Sequence, residues 1–350
     1  MGRVATTILA TTALGAGTAG AGLVLQRRAM RRLQLRPDPF AGEPFGSLRG
    51  RPVPVRADDG TRLHAEIDGE DRTDLAVVFC HGWTLSQDSW HFQRKALRGL
   101  GRLVFWDQRG HGRSDGGDRG ENDIVRLGRD LAAVIDATVP EGTPVVLVGH
   151  SMGTVTIQRY ADEFPGEMGR KVVAVGLVNS SSGSLHEVTL GLPALLARVT
   201  QRFLPRTLTT MGAGSTLIER VRHFGRDGAR LFLDRFVFGP DASPAAVSFT
   251  EEMLTDTRMD AVLDFLRSLV TNQVISECEH LAKVDTLVIA AENDLLMPVE
   301  HSLKIVACVP SARLEVIPDA GHMPMLERPS IVSDHLGDLI ERARKTTTVS

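Results

Sequence analysis

The stretch "VGHSMG", residues 148–153, holds a serine with a glycine two positions away on each side. It continues the apolar run "PVVLV", which is typical of a buried strand. Glycine accepts positive φ angles and lets neighbouring backbone approach closely, so this pattern predicts a sharp turn. The turn could be purely structural, or it could hold Ser151 in the strained, exposed conformation of a nucleophile. Residues elsewhere in the chain decide between the two interpretations.

A serine hydroxyl is a weak nucleophile until a base takes its proton, and that base is oriented by an acidic group. His322 follows a predicted strand and a glycine in "RLEVIPDAG", near the C-terminus, and is the candidate base. Asp294 follows the apolar run "TLVIAA" and is the candidate acid. Asp319, close to His322 in sequence, and Asp107, at the end of "RLVFWD", are its rivals.

The elements that must position these residues are strands that alternate with helices. Apolar runs of strand length include "LAVVFC", "RLVFWD", "PVVLV" and "KVVAVGLV", and helical patterns separate them. This alternation predicts a mainly parallel, doubly wound α/β sheet. The candidate residues all follow strands, and the carboxyl ends of parallel strands share one edge, where ligands bind. His81-Gly82-Trp83, after the first of these runs, is expected at the same edge.

The pattern divides the chain into parts. Residues 51–180 and 280–345 carry the alternation, and residues 181–279 show amphipathic helical patterns without a convincing strand, which predicts a helical cap inserted into the sheet. A segment rich in Pro and Gly, residues 37–50, is the predicted linker to an N-terminal part, residues 1–36. At the start of the sheet, "RPVPVRA" and "RLHAEIDG" predict a hairpin of two edge strands.

The N-terminal part is an apolar segment with a basic flank. Residues 4–25 contain no charged side chain, and five arginines follow, ending at Arg36. A membrane-spanning helix needs about 20 residues, but Ala, Thr and Gly dominate here, so a weak membrane anchor competes with a small-residue helix or a disordered leader. A secretory signal is disfavoured because only Arg3 precedes the apolar stretch. If the segment spans a membrane, the positive-inside rule places the arginines and the catalytic domain in the cytoplasm. If it does not, we expect a cytoplasmic protein.

Composition excludes several other classes. The chain has 350 residues, a net charge of -3 and 42% hydrophobic residues, which is typical of a globular protein and gives no reason to expect a nucleic-acid partner. Its three cysteines show no metal-ligand spacing. The loop "QRGHGRSDGG" lacks the G-x-G-x-x-G pattern of a dinucleotide site. We therefore expect no metal and no organic cofactor.

Five stretches together resemble a known family. "HGW", "DQRGHGRSD", "GHSMG", "AENDLLMP" and "AGHMPMLERP" occur in this order, and the chain from about residue 51 to 344 is similar to α/β-hydrolases of the esterase, lipase and non-metal haloperoxidase group. The order serine, aspartate, histidine is also the order of that fold. The resemblance implies Ser151 as nucleophile, His322 as general base and then acid, and Asp294 as the orienting residue. It also implies an oxyanion hole formed by the backbone N–H groups of Trp83 and Met152.

These assignments predict a serine hydrolase of the carboxylesterase or lipase type. A serine at the elbow, where dehalogenases and epoxide hydrolases have aspartate, indicates ester cleavage through an acyl-enzyme, and the many Leu, Phe, Val and Met residues of the cap favour an apolar acyl chain. Three alternatives stay open. They are a C–C bond hydrolase with the same triad, a perhydrolase or haloperoxidase-like activity suggested by "HGWTLSQDSW", and a non-catalytic binding protein.

Overall fold

A computed structural model describes residues 26–69, 71–117, 122–180, 226–271 and 278–349. Its strands form one sheet in the order β1-β2-β4-β3-β5-β6-β7-β8. The strands are β1 Arg51–Arg56, β2 Arg62–Asp68, β3 Ala76–Cys80, β4 Arg102–Asp107, β5 Val145–His150, β6 Val172–Val178, β7 Asp285–Ala291 and β8 Arg313–Ile317. All neighbours from β4 to β8 pair in parallel, whereas β2 pairs antiparallel with both β1 and β4. The predicted mainly parallel sheet is confirmed.

One detail of the strand prediction is wrong. The first two strands do form a hairpin, but only β1 is an edge strand, because β2 lies between β1 and β4. The turn residues Asp58-Asp59-Gly60 between the two runs indicate the hairpin, but they carry no information on the strand that pairs with the far side of β2. Glu66 in that strand is nevertheless buried, and it forms ion pairs with Arg94 at 2.8 Å and Arg113 at 2.6 Å. Paired in this way, a carboxylate is accommodated in an internal strand.

The central strands are apolar on both sides because both sides of the sheet are covered. In β3, Val77 and Phe79 belong to one buried cluster, while Ala76, Val78 and Cys80 belong to another. Successive side chains of a strand point to opposite faces, so a continuous apolar run indicates cover on both faces. This packing explains why the strand predictions were accurate in this part of the sheet.

The helices follow the predicted alternation with adjusted boundaries. The expected helix "SWHFQRKALRGL" is a 3-10 turn, Gln87–Trp90, followed by a short α-helix, and the closing helix extends to Val349. The α-helices are α1 26–34, α2 His91–Ala96, α3 Leu127–Thr138, α4 Met152–Glu163, α5 Pro244–Asp256, α6 Met259–Thr271, α7 Val299–Cys308, α8 Pro324–Glu327 and α9 Pro329–Val349.

The described part of the predicted cap region, residues 226–271, is helical as expected. A helix over 226–232 continues into a π-helical turn, Leu233–Val237, and α5 and α6 follow. Residues 181–225 and 272–277 of the predicted cap region lie outside the described residues. Side chains of α6 pack with those of α3 and α4 in a third apolar cluster, which consists of Ile124, Leu127, Met152, Val155, Ala261, Phe265 and Leu269.

The segment between α1 and β1 packs against α5 and α2. Phe45 stacks on Phe249 with ring centroids 4.7 Å apart and meets Phe92 edge-on at 5.5 Å. Asp38 accepts a hydrogen bond from the amide of Ala245 in the first turn of α5 at 2.9 Å. The predicted linker, residues 37–50, contains no helix or strand, yet these aromatic and polar contacts hold it on the protein body.

Helix α1 presents its arginines to solvent. Met30 and Leu33 on one side are buried in the main core cluster, and Arg36 beyond the helix forms an ion pair with Asp234 at 2.7 Å. None of the helices in the described ranges is both long and apolar enough to cross a membrane. The predicted anchor, residues 4–25, lies outside those ranges.

Candidate active site

Ser151 lies at the junction between β5 and α4. Its φ of 52° and ψ of -116° are unusual for a residue with a side chain, a conformation that costs on the order of 1–3 kcal/mol. The Ser151 amide donates to the carbonyl of Val178 at 3.0 Å, and the Ser151 carbonyl accepts from the Thr154 amide at 2.9 Å. The backbone on both sides of the serine is therefore held in the strained turn.

The two glycines of the motif are required by close backbone contacts. A Cβ atom at Gly153 would lie 2.1 Å from the carbonyl oxygen of Cys80, and one at Gly149 would lie 2.6 Å from the carbonyl carbon of Gly153. Any side chain at either position would push α4 away from the ends of β3 and β5. The elbow is thus built by residues adjacent to the serine in sequence, together with the end of β3.

Asp294 and His322 meet at the same edge of the sheet. His322 Nδ1 and Asp294 Oδ2 are 2.7 Å apart, and both side chains are buried. The other carboxylate oxygen, Asp294 Oδ1, accepts from the amides of Leu296 at 2.8 Å and Met297 at 2.9 Å. The aspartate is thus fixed on both oxygens, and a proton on His322 Nδ1 leaves Nε2 available as a base.

The two rival acids have other surroundings. Asp319 is exposed, with a φ of 52°. Asp107 is buried, and its two oxygens accept from the amides of Gln87 at 2.7 Å and Arg113 at 3.0 Å. Asp294 is therefore the carboxylate that bonds His322.

Three further histidines surround this pair, and their hydrogen bonds assign their tautomers. His81 accepts the Gln108 amide on Nε2 at 3.0 Å, and His111 accepts the Thr84 amide on Nε2 at 3.1 Å, so each carries its proton on Nδ1. His150 donates from Nε2 to the carbonyl oxygen of His322 at 2.7 Å.

Burial keeps these three rings neutral. It lowers the pKa of His81 to about 4 and that of His111 to about 3, and it lowers the pKa of His150 well below its ordinary value. A protonated neighbour also disfavours a second positive charge: the charge of His322 lowers the pKa of His150, whose ring centroid is 4.9 Å away. Of the four clustered histidines, His322 alone is paired with a carboxylate.

The two candidate oxyanion amides, those of Trp83 and Met152, lie beside these histidines. Met152 is the first residue of α4, and the first four amides of a helix have no partner within it. Trp83 lies in the loop after β3, where Thr84, with a φ of 60°, is held by His111. Trp83 packs on the third apolar cluster, which contains Met152. The positive end of α4 is thus directed to the place where Ser151 stands.

The structure also reveals contacts that the sequence reasoning missed. Glu327 is buried and accepts backbone amides on both sides of His322, and Asn179 donates from Nδ2 to the carbonyl of Gly321 at 3.2 Å. The signal for Glu327 was a carboxylate at the end of "MPMLE", directly after four uncharged residues. In the ranges that the structure covers, no three His, Cys, Asp or Glu side chains converge as a metal site would require.

Comparisons with known proteins agree with this fold. The sequence profile of the alpha/beta hydrolase family matches residues 77–335. A non-heme haloperoxidase of Rhodococcus erythropolis is 26% identical over 270 residues, which cover 77% of this chain and 92% of that protein. A non-heme chloroperoxidase of Streptomyces lividans is 38% identical over 121 residues, but the match spans only 34% of this chain and 42% of that protein.

A bifunctional esterase/perhydrolase of Acinetobacter calcoaceticus is 36% identical over 129 residues, 35% of this chain and 44% of that protein. Among solved structures, a thermophilic esterase from Thermogutta terrifontis superposes with a TM-score of 0.64 at 20% identity, covering 84% of this chain and all of that chain. Structural similarity at that identity shows the fold alone, whereas the family profile covers most of the chain. The chain therefore belongs to the alpha/beta hydrolase family.

Proposed function

We propose that the protein is a serine hydrolase that cleaves carboxylic esters with an apolar acyl chain through an acyl-enzyme intermediate. The observation that carries this proposal is the 2.7 Å hydrogen bond between His322 and Asp294, at the sheet edge where Ser151 occupies a strained elbow. A fixed Nδ1–H leaves Nε2 of His322 as an acceptor for the serine proton.

The reaction divides into two half-reactions, acylation and deacylation, and in each of them a proton passes to and from the His322 ring. Ser151 Oγ attacks the ester carbonyl while His322 Nε2 takes its proton, and the resulting oxyanion accepts hydrogen bonds from the amides of Trp83 and Met152. The tetrahedral intermediate collapses to the acyl-enzyme when His322 protonates the leaving alkoxide. Water then attacks the acyl carbonyl and gives its proton to His322, which returns it to Ser151 as the acid leaves. Asp294 stabilises the imidazolium in both half-reactions.

The preference for an apolar acyl chain rests on the surroundings of the oxyanion amides. Val155 of α4 and Phe265 and Leu269 of α6 pack in the cluster that Trp83 contacts. An acyl chain attached to Ser151 and passing this cluster would meet hydrocarbon rather than charge. We expect the rate to increase with acyl length in a series of nitrophenyl esters until the chain outgrows this cluster.

The test of the nucleophile is Ser151→Ala with a fluorophosphonate probe. We expect the variant to lose the label completely and to lose at least about 10³-fold in kcat, because nothing else can form the acyl-enzyme. Ser330→Ala, an exposed serine at the start of α9, is the matched control and should retain both. Labelling of the Ser151→Ala variant at the wild-type rate would contradict the proposal.

Perhydrolysis is the second candidate, and the esterase/perhydrolase and haloperoxidase relatives favour it. In that reaction hydrogen peroxide replaces water, attacks the same acyl-enzyme and releases a peracid together with free Ser151. Adding peroxide and acetate to the wild-type enzyme and measuring peracid distinguishes the two. An esterase that forms no peracid excludes this candidate.

Membrane association through residues 4–25 stays a proposal of the sequence, supported by the length of the uncharged stretch and the arginines that follow it. Helix α1 leaves Arg27, Arg28, Arg31 and Arg32 exposed, which is compatible with a cytoplasmic membrane surface nearby. A carbonate wash of membranes tests the anchor. Complete release of the full-length protein would exclude it.

A further inference from the structure

One buried carboxylate binds the backbone on both sides of the candidate base. Glu327, at the end of α8, accepts on Oε1 from the amide of Gly321 at 2.9 Å and from the amide of Met323 at 3.1 Å. These two residues flank His322 in sequence. Glu327 is only 6% exposed, so these hydrogen bonds form away from solvent, where a lost partner is costly.

The second oxygen of the same carboxylate binds the cap region. Glu327 Oε2 accepts from the amide of Gly239 at 2.7 Å, just after the π-helical turn. The His322 amide in turn donates to the carbonyl of Val237 at 2.6 Å. The cap segment 237–239 and the His322 loop, residues 318–323, are therefore joined both directly and through Glu327.

The two segments approach so closely that glycine is required on both. A Cβ atom at Gly321 would lie 2.4 Å from the nitrogen of Gly239, and one at Gly239 would lie 2.8 Å from the nitrogen of Gly321. Adjacent backbones that touch in this way move together. A displacement of the cap segment is therefore transmitted to the residue that follows Gly321, which is His322.

We propose that Glu327 is a positioning residue that holds the His322 loop against the cap segment 237–239 and so sets the place of the His322 ring. The inference rests on the proposed role of His322 as the base. Two of the three amide contacts of Glu327 act on the backbone at both ends of His322, and the third acts on the cap segment. Asp294, in contrast, acts on the His322 ring. Without Glu327 the ring keeps its acid partner but loses the backbone restraint that directs Nε2.

The test is Glu327→Gln, which keeps the shape and replaces one acceptor oxygen by an NH₂ group that faces an amide donor. At about pH 8.5, where the wild-type carboxylate is charged, we expect kcat and the rate of fluorophosphonate labelling to fall about 10- to 100-fold, with KM changed less than about threefold. Glu252→Gln, on the exposed side of α5, makes the same charge change elsewhere and should match the wild type.

A second variant separates the contact from the charge. Gly239→Ala leaves Glu327 intact, but its Cβ would lie 2.8 Å from Gly321 N and 3.0 Å from Glu327 Oε2, so it forces the cap segment off the His322 loop. We expect the same division between kcat and KM. A folded Glu327→Gln with kcat and labelling within twofold of the Glu252→Gln control would overturn the proposal.

Amide hydrogen exchange gives a readout that does not need activity. Glutamine keeps one acceptor oxygen, so Glu327→Gln removes the acceptor either of Gly239 or of Gly321 and Met323. The amides on the side that loses its acceptor should exchange at least about tenfold faster than in Glu252→Gln. If the wild type neither reacts with the fluorophosphonate probe nor cleaves esters, the proposed function is wrong. Amide exchange then still tests whether Glu327 holds the His322 loop. Unchanged exchange of all three amides would overturn the positioning role in either case.

Discussion

The nucleophile and the base of the candidate site are held in different ways. Ser151 is fixed by its own neighbours, since Gly149 and Gly153 permit the turn and the ends of β3 and β6 receive it. His322 is held by residues far away in sequence: its amide reaches Val237 and its carbonyl accepts from His150. The elbow is a local device, whereas the place of the base depends on how the cap region meets the sheet.

This difference has a functional consequence. A change confined to the cap segment 237–239 leaves the hydrogen bonds and close backbone contacts of the elbow unaffected, because none of them involves this segment. The same change reaches His322 through the backbone of Val237 and Gly239. Variation of the cap to fit a new acyl group therefore has to preserve this one segment.

Among the variants that affect the base but not the elbow, Asp294→Asn is expected to lower kcat most. The amide keeps the size of the side chain but cannot hold a proton on His322 Nδ1 or stabilise an imidazolium, so we expect kcat to fall about 10⁴-fold, or about 5 kcal/mol in the barrier. The elbow is untouched, so the variant should remain folded with an unchanged circular dichroism spectrum. Steady-state kinetics on a nitrophenyl ester measures the effect.

Asp319→Asn is the matched control for that variant. Asp319 is the rival acid nearest to His322 in sequence, and asparagine tolerates its φ of 52° as aspartate does. We expect its kcat to stay within about threefold of the wild type. A control that lost as much activity as Asp294→Asn would remove Asp294 from its proposed role.

The same comparison explains what could be predicted from the sequence. The elbow is encoded within six consecutive residues, so Ser151 and its strained turn follow from the motif. Asp294 and His322 were found because each follows a predicted strand, and parallel strands bring such ends together. Each of these signals lies within a short stretch of sequence, and the parallel sheet brings the three residues to one edge.

The restraint on the base had no such signal. Glu327 acts on Gly239, and their contact depends on two backbones that approach each other although 88 positions separate the residues. The internal position of β2 was missed for a related reason, because Arg94 and Arg113, which neutralise the buried Glu66, lie in other parts of the sequence.

A smaller effect is expected on the pH dependence of stability. Burial raises the pKa of Glu327 from its ordinary value of 4.5 to about 7, although the three amides and Arg328 oppose this shift. Between these two pH values the folded protein binds more protons than the unfolded chain, so the free energy of unfolding falls as the pH rises. The loss from this group amounts to about 3 kcal/mol above pH 7 and is absent below pH 4.5.

Glu327→Gln removes this titration, so subtracting its unfolding free energy from that of the wild type at each pH isolates the group. The buried histidines 81, 111 and 150 have lowered pKa values and contribute the opposite slope, stability gained as the pH rises towards their unfolded pKa, but they are common to both proteins and cancel. The difference, measured by urea unfolding, should favour the wild type more at pH 4.5 than at pH 8. A difference that does not change between pH 4.5 and pH 8 would mean that folding leaves the pKa of Glu327 at its ordinary value, with the three amides offsetting burial.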